Sequence, residues 1–362
     1  MTSVLISGAG VAGPTLAYWL ARYGFEATVV ERGGAPRSSG NPVDVRGPGW
    51  AVANRMGIVP QLRAAATQAT AMLLVDADGR ARGRIPMPAT QGNEVELPRG
   101  DLASLLFDAA RGDAEFVWDD TITALAPDAG GVDVTFERMA PRRFDFVVGA
   151  DGLHSTVRRL AFGPERDFVR HLGLYVATVA LGSDEGTDVI LHNTPGRLLS
   201  IHPARGAALA AFIFRSPPVA GFDHRDMHQH KQIVTQAYAG TGWRVPELLE
   251  RVAAADDLYF DSVSGVRLDS WSRGRIGLLG DAASCVSLFG DGSSMAMAGA
   301  ETLAAALAAD PAGGFARYEA AHRRLVGPKQ RRVALSAGML VPKTRLGLVA
   351  RDLTARVVLA RG

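Results

Sequence analysis

The chain has 362 residues, 47% of them hydrophobic, which is enough for a large buried core in two domains or one elaborated domain. Its 39 basic and 37 acidic residues leave a net charge of +2, which argues against nucleic acid or a membrane surface as the main partner. The single cysteine, Cys285, excludes an internal disulfide and fits a reducing cytoplasm. Because the first apolar strand begins by residue 4 and no apolar run reaches eighteen residues, we expect neither a signal peptide nor a transmembrane helix.

The amino-terminal stretch has the pattern strand, glycine turn, helix, strand and acid. The parts are a strand at residues 4–6, the glycines Gly8, Gly10 and Gly13, a helix at 14–23, a strand at 27–30, and Glu31. The G-x-G-x-x-G spacing is typical of a turn that lets a pyrophosphate approach the backbone. A carboxylate at Glu31 can accept hydrogen bonds from ribose hydroxyls. The stretch therefore predicts a dinucleotide site without saying which dinucleotide.

The next segment is a polar loop at residues 33–48 that holds Arg37, Asp44 and Arg46. Such a loop either lines the ligand site or is a plain surface loop, and composition favours neither. A helix at 50–56 and a β-hairpin at 71–85 are predicted to follow.

A second group of elements leads to another acid at a strand end. An extended segment at 94–97 precedes a helix that runs to Ala110, with Arg99 just ahead of it and Asp101 as the predicted N-cap. Strands at 122–125 and 132–136 follow. The apolar run 144–148 then leads into a tight turn with Asp151 at its carboxyl end, where open α/β sheets bind their ligands.

Residues 168–214 have a different texture, with short apolar runs separated by Gly, Pro and Asn, and residues 259–267 add one more run. This pattern favours an inserted antiparallel sheet. His224, His228 and His230 lie close together between the two parts. We interpret them as the start of a helix, and we predict no metal site.

The main fold resumes at Leu278, with Gly280 and Asp281 at the end of a buried strand. Gly290, Gly292, Ser293 and Ser294 then lead into a helix at 295–309, whose first N–H groups are available to an anionic ligand edge. Cys285 is predicted to be a buried, inert thiol. Residues 345–359 are predicted to form a helix packed on the body.

These motifs together resemble the group A, para-hydroxybenzoate-hydroxylase-like flavoprotein monooxygenases, and within them the aromatic-polyketide and tetracycline-modifying branch. The similarity rests on the glycine turn with Glu31, on Asp151-Gly152 with Arg158, on Gly280-Asp281, and on the segments 37–44 and 98–102. It implies an α/β fold: a Rossmann-like FAD-binding domain (1–70, 96–165 and 268–330), an inserted antiparallel substrate domain (71–95 and 166–267), and a C-terminal helical segment (331–362).

The resemblance also implies roles. Asp281 would bind the ribityl chain of FAD, Glu31 the adenosine ribose, Arg99 and Asp44 the flavin side, and Arg37 the NADPH; Arg32 leans slightly towards NADPH over NADH. The full set of implied cofactor-binding residues is Gly8, Gly10, Ala12, Gly13, Glu31, Arg32, Arg37, Asp44, Arg99, Asp151, Gly280, Asp281, Gly290, Gly292, Ser293 and Ser294. No catalytic side chain is assigned, although His171, His192 and His202 on the inserted strands are candidates for a base.

The implied activity is NAD(P)H- and O2-dependent oxygenation of a bulky aromatic or polyketide-like substrate through a flavin C4a-hydroperoxide, in antibiotic biosynthesis or resistance, by a monomer or a homodimer. Two alternatives stay open: a redox-neutral rearrangement or cyclisation on an FAD enzyme, and a flavoprotein that sequesters an aromatic metabolite. The sequence departs from the family at Val286, Leu288 and Asp291. The negative charge of Asp291 would disfavour a reduced, anionic flavin unless it points away.

Overall fold

The computed structural model describes residues 1–36, 42–67, 69–87, 92–203, 208–285 and 291–351, leaving out the side chains of 332–336. The strands are β1 Ser3–Ser7, β2 Glu26–Val30, β3 Val43–Arg46, β4 Ala71–Val75, β5 Ala81–Pro86, β6 Glu94–Leu97, β7 Glu115–Val117, β8 Ile122–Pro127, β9 Val132–Phe136, β10 Arg142–Phe144, β11 Phe146–Gly149, β12 Val169–Ala180, β13 Asp188–Thr194, β14 Arg197–His202, β15 Leu209–Arg215, β16 Tyr259–Val266, β17 Ser272–Arg273 and β18 Ile276–Leu278. The helices are α1 Ala12–Arg22, α2 Pro48–Met56, α3 Val59–Ala64, α4 Arg99–Ala110, α5 Thr156–Ala161, α6 Met227–Tyr238, α7 Val245–Ala254, α8 Asp281–Ser284, α9 Asp291–Ala309 and α10 Gly314–Leu340, and residues 345–351 are also helical.

A six-stranded sheet in the order β17-β18-β11-β1-β2-β7 organises the first layer. Its strands are parallel from β18 to β7, and β17 is antiparallel. The apolar runs of β1, β2 and β11 are almost completely buried, as expected for a parallel sheet covered on both faces. Helix α1 packs against α4 and α9, and α9 packs against α2 and α10. The predicted Rossmann-like α/β fold is confirmed.

A seven-stranded sheet in the order β16-β12-β15-β14-β13-β4-β5 forms the second layer. Side chains alternate across it, so Tyr175 and Phe212 join a core with α6 and α7, while Val176 and Ile213 face the opposite side. The sheet is antiparallel except between β13 and β4. That parallel pair joins two distant parts of the chain, residues 71–75 and 188–194. The exact domain boundaries stay a prediction.

Three local predictions need correction or refinement. The polar loop at 33–48 contains β3, because alternating Val-Asp-Val-Arg pairs with β6. Helix α4 begins at Arg99 after Pro98, so Asp101 lies in the first turn and is not the N-cap. Helix α9 begins at Asp291, four residues earlier than predicted. The predicted hairpin β4–β5 is confirmed, and so is the helix start near the three histidines, where Asp226 caps α6.

Two further predictions can be compared with the described residues only. No described helix combines the length and apolar character needed to cross a membrane. Residues 352–362, part of the predicted C-terminal helical segment, lie outside the described residues.

Candidate functional site

A cavity of about 440 Å³ lies at the carboxyl ends of β1, β2 and β11, between the two sheets. Ten of the predicted site residues line it: Gly8, Gly10, Ala12, Glu31, Arg32, Arg99, Asp151, Asp281, Gly292 and Ser293. The predicted residues Gly13, Asp44, Gly280 and Ser294 lie next to the wall without lining it. The predictions for Arg37 and Gly290 lie outside the described residues. Residues that are far apart in sequence therefore meet at one site.

The glycine turn has two packing glycines and one that faces the cavity. Gly8 has φ +106°, and a Cβ atom there would lie 2.6 Å from the carbonyl oxygen of Ala150. A Cβ atom on Gly13 would lie 1.9 Å from the carbonyl oxygen of Gly8. A Cβ atom on Gly10 would have no atom of the described residues within 4 Å. Gly8 and Gly13 thus build the turn, and Gly10 leaves room for a ligand.

The amino end of α1 fits an anionic group. Val11 is the N-cap and offers no side-chain acceptor, and the first turn holds no acidic residue. Because the first N–H groups of a helix have no partner within the helix, they and the positive end of the helix dipole are directed towards the cavity beside Gly10 and Ala12. A pyrophosphate fits this arrangement.

Glu31 holds the turn from the end of β2. Its Oε2 atom accepts a hydrogen bond from the backbone N–H of Ala9 at 2.8 Å, and Oε1 accepts one from Gly33 at 2.9 Å. A carboxylate has further acceptor positions, so these two bonds leave room for ribose hydroxyls.

Asp151 connects strand β1 to the start of α5 through hydrogen bonds. Its carboxylate accepts hydrogen bonds from the hydroxyl of Ser155, from the backbone N–H of Val157 at 3.1 Å, and from the hydroxyl of Ser7 at 3.3 Å. Burial raises the pKa of Asp151, although these hydrogen bonds oppose the shift. Much of its hydrogen-bonding capacity therefore holds the start of α5 to β1, a structural role alongside the predicted contact with FAD.

Asp281 lies between three elements. It follows Gly280, which has φ +63°, and begins α8. Burial raises the pKa of Asp281, while Arg99 on α4 and the thiol of Cys285 act in the opposite direction. A Cβ atom on Gly292 would lie 4.0 Å from its Oδ1 atom, so the amino end of α9 is adjacent. Asp281 and Arg99 thus both lie in the cavity wall, and the charge of Arg99 favours the ionised form of Asp281.

Asp44, which the resemblance predicts to contact the flavin side, is not among the described residues that line the cavity. Alternation along β3 turns Val43 to the cavity, and the Asp44 carboxylate lies 3.6 Å from Arg46. Burial raises the pKa of Asp44, and Arg46 opposes this. The backbone carbonyl of Asp44 accepts a hydrogen bond from Ser294 at 3.0 Å, which ties β3 to α9.

Sequence reasoning missed a charged cluster around His154, which lines the cavity. Its Nδ1 atom lies 3.0 Å from Glu165, and its Nε2 atom lies 3.1 Å from Asp261 on β16. Burial alone would lower the pKa of His154, but the two carboxylates raise it to about 9. The ring stacks on His224 with 4.0 Å between centroids. Only the position of His154 next to the Asp151-Gly152 turn gave any signal, because its partners are distant in sequence.

Arg158 completes this cluster as a fully buried cation. Its guanidinium donates to the carbonyl of Ala282 at 3.0 Å and to that of Leu153, and lies 3.4 Å from Glu165. The side chain therefore joins α5 to the residue after Asp281.

The seven-stranded sheet supplies the apolar wall of the cavity through Val176, Ile213, Tyr259 and Val263. The candidate bases His171, His192 and His202 are not among the described residues that line it. His171 contacts the carbonyl of Ser216 at 3.0 Å, His192 packs on Trp243, and His202 bonds to Ser200. Burial lowers the pKa of His202 to about 4. The structure assigns none of the three to a catalytic position.

Comparison with known proteins places this fold and site in a family. The chain belongs to the FAD binding domain family, whose model matches residues 1–322. It is 37% identical to the uncharacterized protein Rv1260 of Mycobacterium tuberculosis over 98% of this chain and 100% of that protein. It is 33% identical to a flavin-dependent monooxygenase of Legionella longbeachae over 91% of this chain and 87% of that protein.

The solved structure of the tetracycline destructase Tet(51) is similar, with a TM-score of 0.88 and 29% identity over 100% of this chain and 96% of that chain. Tet(55), another tetracycline destructase, has a TM-score of 0.85 and 31% identity over 98% and 95%. The protein is therefore a flavin-dependent monooxygenase with FAD as its cofactor. The predicted resemblance is confirmed.

Proposed function

We propose that this enzyme binds FAD along the cavity, takes electrons from NAD(P)H, and inserts one oxygen atom of O2 into a bulky, mostly apolar aromatic substrate of the polyketide type. One observation carries the proposal: a single cavity is lined at one end by the glycine turn and Glu31, and at the other by the sheet residues Val176 and Ile213. An extended dinucleotide laid along it would place its adenosine end at Glu31 and its redox end near Asp281 and the sheet.

Bound FAD supplies the oxygen activation, and the protein supplies binding, orientation and exclusion of water. In this proposal the amino end of α1 holds the pyrophosphate and Glu31 the ribose. Asp281 and Arg99 hold the ribityl and flavin side. Val176, Ile213 and Val263 present an apolar surface, which favours a large hydrophobic aromatic ring over a small charged acid.

Two observations weigh against the alternative functions, a protein that sequesters a metabolite and an enzyme of redox-neutral chemistry. Several relatives are named as flavin-dependent monooxygenases, which favours an enzyme over a protein that only sequesters a metabolite. A redox-neutral reaction was motivated by the charge of Asp291 and by the altered turn before it, and residues 286–290 of that turn lie outside the described residues. That charge is paired with Lys329 at 2.7 Å and Arg46 at 3.0 Å, so it gives no reason to prefer such a reaction.

The test measures NAD(P)H oxidation and oxygen uptake by the purified yellow protein. Tetracycline is a suitable bulky probe, because the structurally similar Tet(51) and Tet(55) are tetracycline destructases. 4-Hydroxybenzoate is the small, charged control. We expect stimulation by the bulky probe with an oxygenated product, and little stimulation by the control. Product formation without NAD(P)H and O2 would favour the redox-neutral alternative, and a preference for 4-hydroxybenzoate would contradict the proposed substrate class.

A further inference from the structure

The amino end of α9 carries a carboxylate that two cations from other elements hold. Oδ1 of Asp291 lies 3.0 Å from Nε and from Nη2 of Arg46 on β3. Oδ2 lies 2.7 Å from Nζ of Lys329 on α10. The side chain of Asp291 is only 21% exposed, so these contacts are partly shielded from water.

This carboxylate stands one residue from the cavity wall. Gly292 and Ser293 line the cavity, and Gly292 is adjacent to Asp281. The positive end of the α9 dipole points into the same region. Without compensating cations, the carboxylate of Asp291 would cancel part of the positive potential of that dipole. It would also repel negative charge on a ligand bound there.

The two cations prevent this. Burial works to raise the pKa of Asp291, but Lys329 and Arg46 together hold it below its ordinary value, so the carboxylate is ionised and paired. Arg46 is shared, because its Nη1 atom also lies 3.6 Å from the carboxylate of Asp44. Two carboxylates thus share Arg46, and Lys329 supplies the second positive charge beside Asp291.

We propose that Lys329 is a positioning residue which, through Asp291, keeps the potential at the amino end of α9 positive and thereby sets the reduction potential of the bound flavin. The inference rests on the proposed placement of FAD, with its redox end near Asp281 and Gly292. Reduction adds negative charge to the flavin. Loss of the Lys329 charge leaves the Asp291 charge less compensated, so the reduced form binds less well relative to the oxidised form.

The experiment measures the midpoint potential of bound FAD at pH 8 by slow reduction beside a reference dye. It compares the wild-type enzyme with Lys329→Met, Asp291→Asn and the double variant. Lys343→Met is the matched control, because Lys343 is an exposed lysine near the same end of the chain. Lys329→Gln keeps a donor to Asp291 without the charge, and serves if Lys329→Met does not fold. Dissociation constants for oxidised FAD are measured in parallel.

We expect Lys329→Met and Lys329→Gln to lose about tenfold in affinity for reduced relative to oxidised flavin, a shift of about 30 mV to more negative potential for a two-electron couple. Asp291→Asn should shift the potential the other way, and the double variant should return towards wild type. Lys343→Met should be silent. If FAD binds normally and the potential of the Lys329 variants stays at the wild-type value, this inference is wrong. If the wild-type protein does not bind FAD in this cavity, the proposed placement of FAD is what fails.

Discussion

His154 on the loop after β11 lies 3.1 Å from Asp261 on β16, so one ion pair joins the six-stranded sheet to the seven-stranded sheet at the cavity wall. Glu165 holds the other ring nitrogen of His154, and His224 stacks on its face. Glu165 and Asp261 can both accept a hydrogen bond from the ring only when His154 is protonated. The contact between the two sheets therefore depends on pH.

The folded protein should lose stability at alkaline pH, because His154 loses its proton there. The pKa of His154 rises from its ordinary value of 6.5 to about 9 in the folded protein. A raised histidine pKa gives a stabilisation that is complete below pH 6.5 and is lost as pH rises through about 9. The difference between the two pKa values sets an upper limit of about 3 kcal/mol on this stabilisation. Thermal melts of wild type and His154→Gln between pH 6 and pH 10 should converge at the alkaline end. Parallel curves at all pH values would contradict the charged state of His154.

Removal of the Asp281 carboxylate should abolish FAD binding without unfolding the protein. Asp281→Ala is expected to purify as colourless apoprotein, since the acid that faces Arg99 in the cavity wall is lost. Its melting temperature should not fall below that of wild-type apoprotein, because burial disfavours the ionised acid in the empty cavity. Visible absorbance and calorimetric titration with FAD check this. Full flavin retention would overturn the proposed role of Asp281.

The two glycines Gly10 and Gly13 should separate cofactor binding from folding. A Cβ atom on Gly13 clashes with backbone at 1.9 Å, so Gly13→Ala should destabilise the protein by about 1–3 kcal/mol or more. Among the part of the chain that the structure describes, no atom lies within 4 Å of a Cβ atom on Gly10, and Gly10 lines the cavity. Gly10→Ala should therefore fold normally and lose at least about tenfold in FAD affinity, or about 1.4 kcal/mol. Denaturant melts and FAD titrations separate the two effects. Normal FAD affinity in Gly10→Ala would argue against a pyrophosphate at this turn.

A larger side chain at Ile213 should affect the substrate and not the cofactor. Ile213 faces the cavity from β15, and Ile213→Phe fills part of it. We expect KM for a bulky aromatic substrate to rise about tenfold, or about 1.4 kcal/mol, while the FAD dissociation constant stays unchanged. Ile213→Leu, which keeps the volume, is the control. Equal effects on FAD and substrate would place the substrate elsewhere.

Much of the fold followed from local sequence patterns. The strand–glycine–helix–strand order placed β1, α1 and β2 correctly, because apolar runs and glycines act locally. Strand β3 lies in a segment predicted to be loop, because its partner β6 is almost fifty residues further along the chain. Tertiary pairing, which no local pattern contains, decides such short strands.

The candidate site shows the same limit. Asp151 and Asp281 were found because each follows a buried strand, and the carboxyl ends of parallel strands meet at one edge. His154 was missed because its partners Glu165 and Asp261 belong to other elements. The partners of Asp291 were missed for the same reason, since Lys329 is 38 residues away and Arg46 is 245 residues away. Charge pairs between elements become visible only when the elements are packed.

The most direct test of monooxygenation is a single-turnover reaction under ¹⁸O2 with purified FAD-loaded enzyme, NAD(P)H and a bulky aromatic substrate such as tetracycline. Mass spectrometry of the product should show one ¹⁸O atom derived from O2, together with consumption of one equivalent of NAD(P)H. A product that carries no ¹⁸O, or that forms at the same rate without NAD(P)H under nitrogen, would contradict it.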